Sequence, residues 1–142
     1  MPERTAQAHW EGPVKEGRGT IAVESGAFSA DYSFGARFES EAGTNPEELL
    51  GAAHAGCFTM ALALGLTEAG HPPARIDTTA RVAIEKGPSG FHIPHIELRT
   101  EAEVPGIDAG AFNELAEGAK ANCPVSKALA ATEISLEAKL LG

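Results

Sequence analysis

Apolar positions along this chain recur with two different periods, and the switches between them mark out its elements. From residue 49 to residue 66 nearly every position is apolar or small, interrupted only by His54 and Thr59. Asn45 suits an N-cap and Pro46 the first helical position, where its missing N–H costs nothing. Glu47 and Glu48 fall in the first turn, where the positive end of the helix dipole favours carboxylates. Gly70 and then Pro72-Pro73 stop the helix. The run is long enough to raise a membrane span, but it is mostly Ala and Gly and lacks the usual basic flank. A helix apolar on nearly every face is otherwise a buried one. Around it the pattern alternates every second residue. Residues 6–10, 19–24 and 28–39 read as three strands in an antiparallel meander, with Gly35 as a bulge or close backbone approach. Residues 76–86 and 91–104 read as two more strands joined by Gly87-Pro88-Ser89-Gly90, with Pro94 marking an edge or bulge. Asp108 caps a helix over 109–121, a short helix follows over 124–131, and 134–140 alternates as a last strand.

This order, with strands in runs, predicts an α+β domain of antiparallel strands around a long buried central helix, not a doubly wound parallel sheet. At 142 residues the chain is read as one domain, 1–142, without linker or repeat. The net charge of −9 argues against nucleic acid or an anionic membrane as partner. The first residues hold no apolar signal-peptide core, so a cytoplasmic location is the expectation. No phosphate-binding glycine loop of either common kind is present, so no nucleotide cofactor is expected.

Two cysteines, Cys57 and Cys123, are the candidates for chemistry. Their separation excludes a C-x-x-C motif, and in a reducing compartment a static disulfide is rare. Cys57 in its Ala-rich helix could be a small core residue. Cys123 has the stronger local argument, because a thiol at a helix N-terminus has its pKa lowered. A metal site using His54, Cys57 and Cys123 is a rival, since His54 and Cys57 share a helix face, but no familiar zinc spacing exists. His54 is otherwise read as a hydrogen-bonded core or interface histidine.

The segments GTNPEELLGAAHAGCF and NCPVSKAL resemble the two cysteine motifs of the OsmC/Ohr family of organic hydroperoxide reductases, and YSFGARFE resembles that family's arginine-bearing strand. AHWEG, GTIAVESG and VPGID are similar to the OsmC branch, so the resemblance runs essentially end to end. It implies a thiol peroxidase with Cys57 as peroxidatic cysteine, Cys123 as resolving cysteine, Arg37 holding thiolate and peroxide, and Glu47 pairing with that arginine. It also implies a tightly intertwined homodimer, an organic hydroperoxide as substrate, and a dithiol reductant of the lipoyl type. The alternative is a non-enzymatic redox-responsive or ligand-binding protein using the same cysteine pair. An apolar pocket is expected, with Phe58, Met60 and Leu64 as candidate walls.

Helix geometry adds one expectation of its own. Glu47 and Cys57 lie ten residues apart on one helix, about 15 Å along its axis. One arginine can bridge to only one of them within a single chain. A site containing Arg37, Glu47 and Cys57 therefore takes a residue from a second chain, which predicts active sites at a homodimer interface.

Overall fold

The computed structural model describes residues 1–142. The element order is β1 (Ala6–Glu11), β2 (Arg18–Val23), β3 (Ser29–Tyr32), α1 (Phe34–Phe38), α2 (Pro46–Glu68), β4 (Arg75–Val82), β5 (Glu85–Gly87), β6 (Gly90–His92), β7 (His95–Glu103), α3 (Ala109–Asn122), α4 (Pro124–Ala128) and β8 (Glu133–Leu140). The chain divides within α2 into two compact units, Met1–Leu49 and Leu50–Gly142.

In the first unit β1, β2 and β3 form an antiparallel meander, as expected, with Trp10 opposite Gly19 and Gly19 opposite Tyr32. The rings of Trp10 and Tyr32 meet edge to face at 5.3 Å. Gly19 is what lets them: a Cβ there would lie 2.6 Å from each ring. The third strand is shorter than the alternation of 28–39 suggests. It ends at Tyr32, and Ser33 caps a one-turn helix by accepting a hydrogen bond from the Ala36 N–H at 3.0 Å. Serine competes well for a cap and poorly for a strand interior, and here the cap wins. Arg37 therefore sits on a helical turn and not on a strand.

The start of α2 is built as its sequence indicates. The Glu48 N–H donates to Asn45 Oδ1 at 2.7 Å, and Asn45 Nδ2 reaches back to the Ala36 carbonyl at 3.1 Å. One asparagine thus caps α2 and ties α1 to it. At the other end Gly70 adopts φ 86°, the left-handed conformation of a C′ glycine.

The second unit holds a three-stranded sheet in the order β4-β7-β8. β4 pairs antiparallel with β7, but β8 pairs parallel with it, from His95 opposite Glu133 to Ala102 opposite Leu140. Alternation reports which face a residue takes, not which way a strand runs, so this reversal is invisible in the pattern. The parallel pair needs a long crossover, and α3 with α4 supplies it. Pro94 separates the short β5–β6 hairpin from β7. Phe58, Leu62 and Leu66 of α2 pack with Leu98 and Ala102 of β7, with Val104, and with Phe112, Ala116 and Ala119 of α3. Each fully buried Leu or Phe contributes about 1.5–3 kcal/mol. α2 is long and apolar enough by composition to cross a membrane, yet this stripe, spaced every fourth residue, is the core of the unit. Its other positions stay more open, with Met60 at 75% and Leu64 at 58% exposure. A threonine chain pins α2 to the sheet: Thr59 donates to Thr78 at 2.7 Å, and Thr78 meets Thr100 at 3.0 Å.

Candidate active site

Of the four residues expected to carry the chemistry, two meet in each unit. In the first unit Arg37 and Glu47 form a two-point ion pair, Nε to Oε1 and Nη2 to Oε2, each at 3.0 Å. Glu47 is buried in the first turn of α2, so its carboxylate faces both a guanidinium and the positive end of a helix. The arginine is 37% exposed along its side chain and lies 5.2 Å from the Phe38 ring centroid. Two of its five N–H donors are spent on Glu47, leaving three for another acceptor.

In the second unit Cys57 and Cys123 are brought together from α2 and the α3–α4 junction; both are free thiols, near enough for Cys123 to act on the ionisation of Cys57. Cys123 is the C-cap of α3 and the N-cap of α4 at once. Its Sγ accepts the Ser126 N–H at 3.3 Å, while the Val125 N–H is hydrogen-bonded to Cys57. The first turn of a helix leaves N–H groups without intrahelical partners. Here Pro124 has no N–H to offer, and the next two go to the two sulfurs. The thiols differ in access: Cys57 is half-buried and Cys123 is buried.

Burial pushes the Cys57 thiol above its ordinary pKa; the Val125 N–H works the other way, and the neighbouring Cys123 adds to the rise. No cation figures among these influences. A buried polar chain continues from the sulfurs. Cys123 Sγ lies 3.1 Å from Ser126 Oγ, which lies 2.7 Å from His54 Nε2. His54 is thus the hydrogen-bonded core histidine its setting suggests, and burial lowers its pKa. Ser126 is the member that the sequence did not single out; a lone serine four residues into NCPVSKAL carries no distinguishing signal. No group of three or more His, Cys, Asp or Glu side chains converges on a common point anywhere in the chain. Of the expected pocket walls, Phe58 is wholly buried in the core and unavailable to a ligand, whereas Met60 and Leu64 face outward.

The family of OsmC-like proteins matches residues 39–139. The chain is 54% identical over 138 residues to the peroxiredoxin OsmC of Escherichia coli (strain K12), covering 96% of each. Among solved structures it is similar to the organic hydroperoxide resistance protein OhrB of Bacillus subtilis, with 27% identity, a TM-score of 0.69 and coverage of 96% of this chain and 97% of that one. An OsmC-like protein of unknown function from Vibrio cholerae shares the fold at a TM-score of 0.77, with 18% identity and coverage of 97% and 99%. With one family matching over most of the chain and a relative of this identity over nearly all of it, the protein belongs to the OsmC-like family.

Proposed function

We propose that the protein is a thiol peroxidase that reduces organic hydroperoxides to alcohols through Cys57 and Cys123. The observation that carries this reading is the pair of neighbouring free thiols, one half-buried and one buried. The more open one, Cys57, meets the peroxide. Its thiolate attacks the terminal oxygen, the O–O bond breaks, and the alkoxide leaves as an alcohol after taking a proton, with the sulfur oxidised to a sulfenic acid. Cys123 then displaces that hydroxyl as water and forms the Cys57–Cys123 disulfide. A dithiol, of lipoyl type by family resemblance, returns both thiols by exchange and is itself oxidised to a cyclic disulfide.

The reading needs a cation at Cys57, because only the thiolate is a good nucleophile and the influences within the second unit raise its pKa on balance. Arg37 is suited to this: it is held rigidly by Glu47 and keeps donors to spare. Since Glu47 and Cys57 stand about 15 Å apart along α2, we assign the arginine at each Cys57 to a second copy of the chain. The protein then works as a homodimer with two active sites at its interface. The small and apolar residues on the open faces of α2, Met60 and Leu64 among them, suit burial in such an interface and an apolar approach for the peroxide. Bulky organic hydroperoxides are accordingly expected to outcompete hydrogen peroxide.

The test is peroxide consumption with a dithiol reductant for wild type, Cys57→Ser and Cys123→Ser. Cys57→Ser is expected to be inactive, and Cys123→Ser to react once and stall as an oxidised thiol. Oxidation of wild type to the disulfide without repeated turnover would favour the redox-responsive alternative. Full activity in Cys57→Ser would end the peroxidase reading.

A further inference from the structure

A peroxidase of this kind has a second proton problem that its two cysteines and one ion pair leave unsolved. Cys123 must lose its proton to attack the sulfenic acid, yet it is 1% exposed and out of reach of bulk water. Apart from its neighbour Cys57, the only polar side chain within hydrogen-bond distance of it is Ser126, itself 4% exposed. Ser126 in turn meets His54, which is wholly buried. His54 spends its one hydrogen bond there, and its Nδ1 has no partner. A histidine kept only to hold a core together usually has both nitrogens engaged, and a buried unpaired polar atom calls for an explanation. The cost of burying this imidazole is borne with a single directed contact, and that contact leads to the sulfur of Cys123.

We propose that His54 is the proton acceptor for the resolving step, acting on Cys123 through the Ser126 hydroxyl. This rests on the peroxidase reading above and extends it. As Cys123 approaches the Cys57 sulfenic acid, its S–H proton passes to Ser126 Oγ while the Ser126 proton passes to His54 Nε2. The Cys123 sulfur forms the S–S bond, the S–O bond of Cys57 breaks, and the departing hydroxide takes a proton from solvent at the half-buried Cys57 and leaves as water, while His54 holds the relayed proton. Cys123 is oxidised and the Cys57 sulfur reduced, with no other reactant needed. When a dithiol opens the disulfide, the same chain runs backward and returns a proton to Cys123. Ser126 touches a reacting atom and is a catalytic residue; His54 works through it. Burial keeps the imidazole neutral at ordinary pH, so it is in the accepting form when the step begins. The Ser126 N–H, already bonded to Cys123 Sγ, steadies the developing thiolate from the other side.

The test separates the two chemical steps in the full-length protein. One equivalent of cumene hydroperoxide is added to reduced wild type, His54→Gln and Ser126→Ala. Peroxide loss reports the first step, and a sulfenic-acid trap together with thiol counting reports closure of the disulfide. Glutamine keeps a hydrogen-bonding group toward Ser126 but cannot accept the proton. In His54→Gln and in Ser126→Ala, peroxide is expected to vanish at the wild-type rate. Closure should slow about a hundredfold or more, with trapped sulfenic acid accumulating on Cys57. Closure at the wild-type rate in His54→Gln would overturn the proposal, as would equal slowing of both steps, which is the mark of a structural role. Slow closure in His54→Gln with normal closure in Ser126→Ala would overturn the route through Ser126, and Ser126→Ala decides the matter alone if His54→Gln fails to fold. If wild type itself consumes peroxide without closing a disulfide, the peroxidase cycle fails and the relay fails with it.

Discussion

In the unit Met1–Leu49 the only buried hydrophobic side chain is Ala36, whereas Leu50–Gly142 buries Phe58, Phe112, Leu62, Leu66, Ile96, Leu98 and Val104. The first unit buries charge in place of hydrocarbon: Glu47, held by Arg37. The second buries the Cys123 thiol and the His54 imidazole inside a conventional core. A stretch of this size without its own core supplies little of the apolar burial that offsets chain entropy. In the proposed dimer a second chain adds surface to it. The contrast suggests a division of labour in which one unit presents a cation to a neighbour and the other keeps two sulfurs in register.

If that division is right, damage to the two units should differ in kind. The largest loss of stability is expected in the second unit: Phe112→Ala, which empties a fully buried site, should cost about 3–5 kcal/mol in denaturant unfolding. Trp10→Ala, half-buried in the first unit, should cost clearly less, and equal losses would break the contrast. Next comes Arg37→Met, expected to lower peroxidase activity about a hundredfold, or about 2.7 kcal/mol of barrier. It should also raise the pH at which Cys57 reacts with an alkylating agent. An unchanged alkylation profile would separate Arg37 from the thiol. Glu47→Gln should cost about 1–3 kcal/mol, at the lower end because the Arg37 side chain is 37% exposed, and should loosen the arginine without removing it. A smaller effect belongs to His54. Its folded pKa lies below the ordinary 6.5 because of burial, so below that pH the unfolded chain binds the extra proton first. Stability present above about pH 6.5 is then lost as pH falls toward the folded value, and His54→Gln should flatten that part of the curve. Smallest of all, Arg75→Ala breaks exposed ion pairs to Asp77 and Glu103 and should leave the denaturation midpoint unchanged within error.

What could be read from the sequence was mostly local. Asn45, Asp108 and Cys123 cap helices as their positions suggest, because a cap is decided within four residues. The stretch 28–39 misled, since its alternation outweighed a serine cap that only geometry reveals. The parallel docking of β8 had no sequence signal, because direction is a property of the crossover and not of the strand. The site divides the same way. Arg37 with Glu47 and Cys57 with Cys123 were legible only through family resemblance, and the His54–Ser126 contact spans too much sequence for any spacing rule to find.

The parallel crossover also bears on how the protein is made. Residues 104–132, with Cys123 among them, hang between β7 and a last strand that ends at Leu140. Pairing that strand closes a long loop, which is slow relative to local structure, and it cannot begin until β8 itself has left the ribosome. A nascent chain will therefore carry Cys57 on a formed helix well before Cys123 is brought to face it. In the proposed cycle, the newly made protein therefore passes through a window in which Cys57 has no resolving partner and is open to overoxidation.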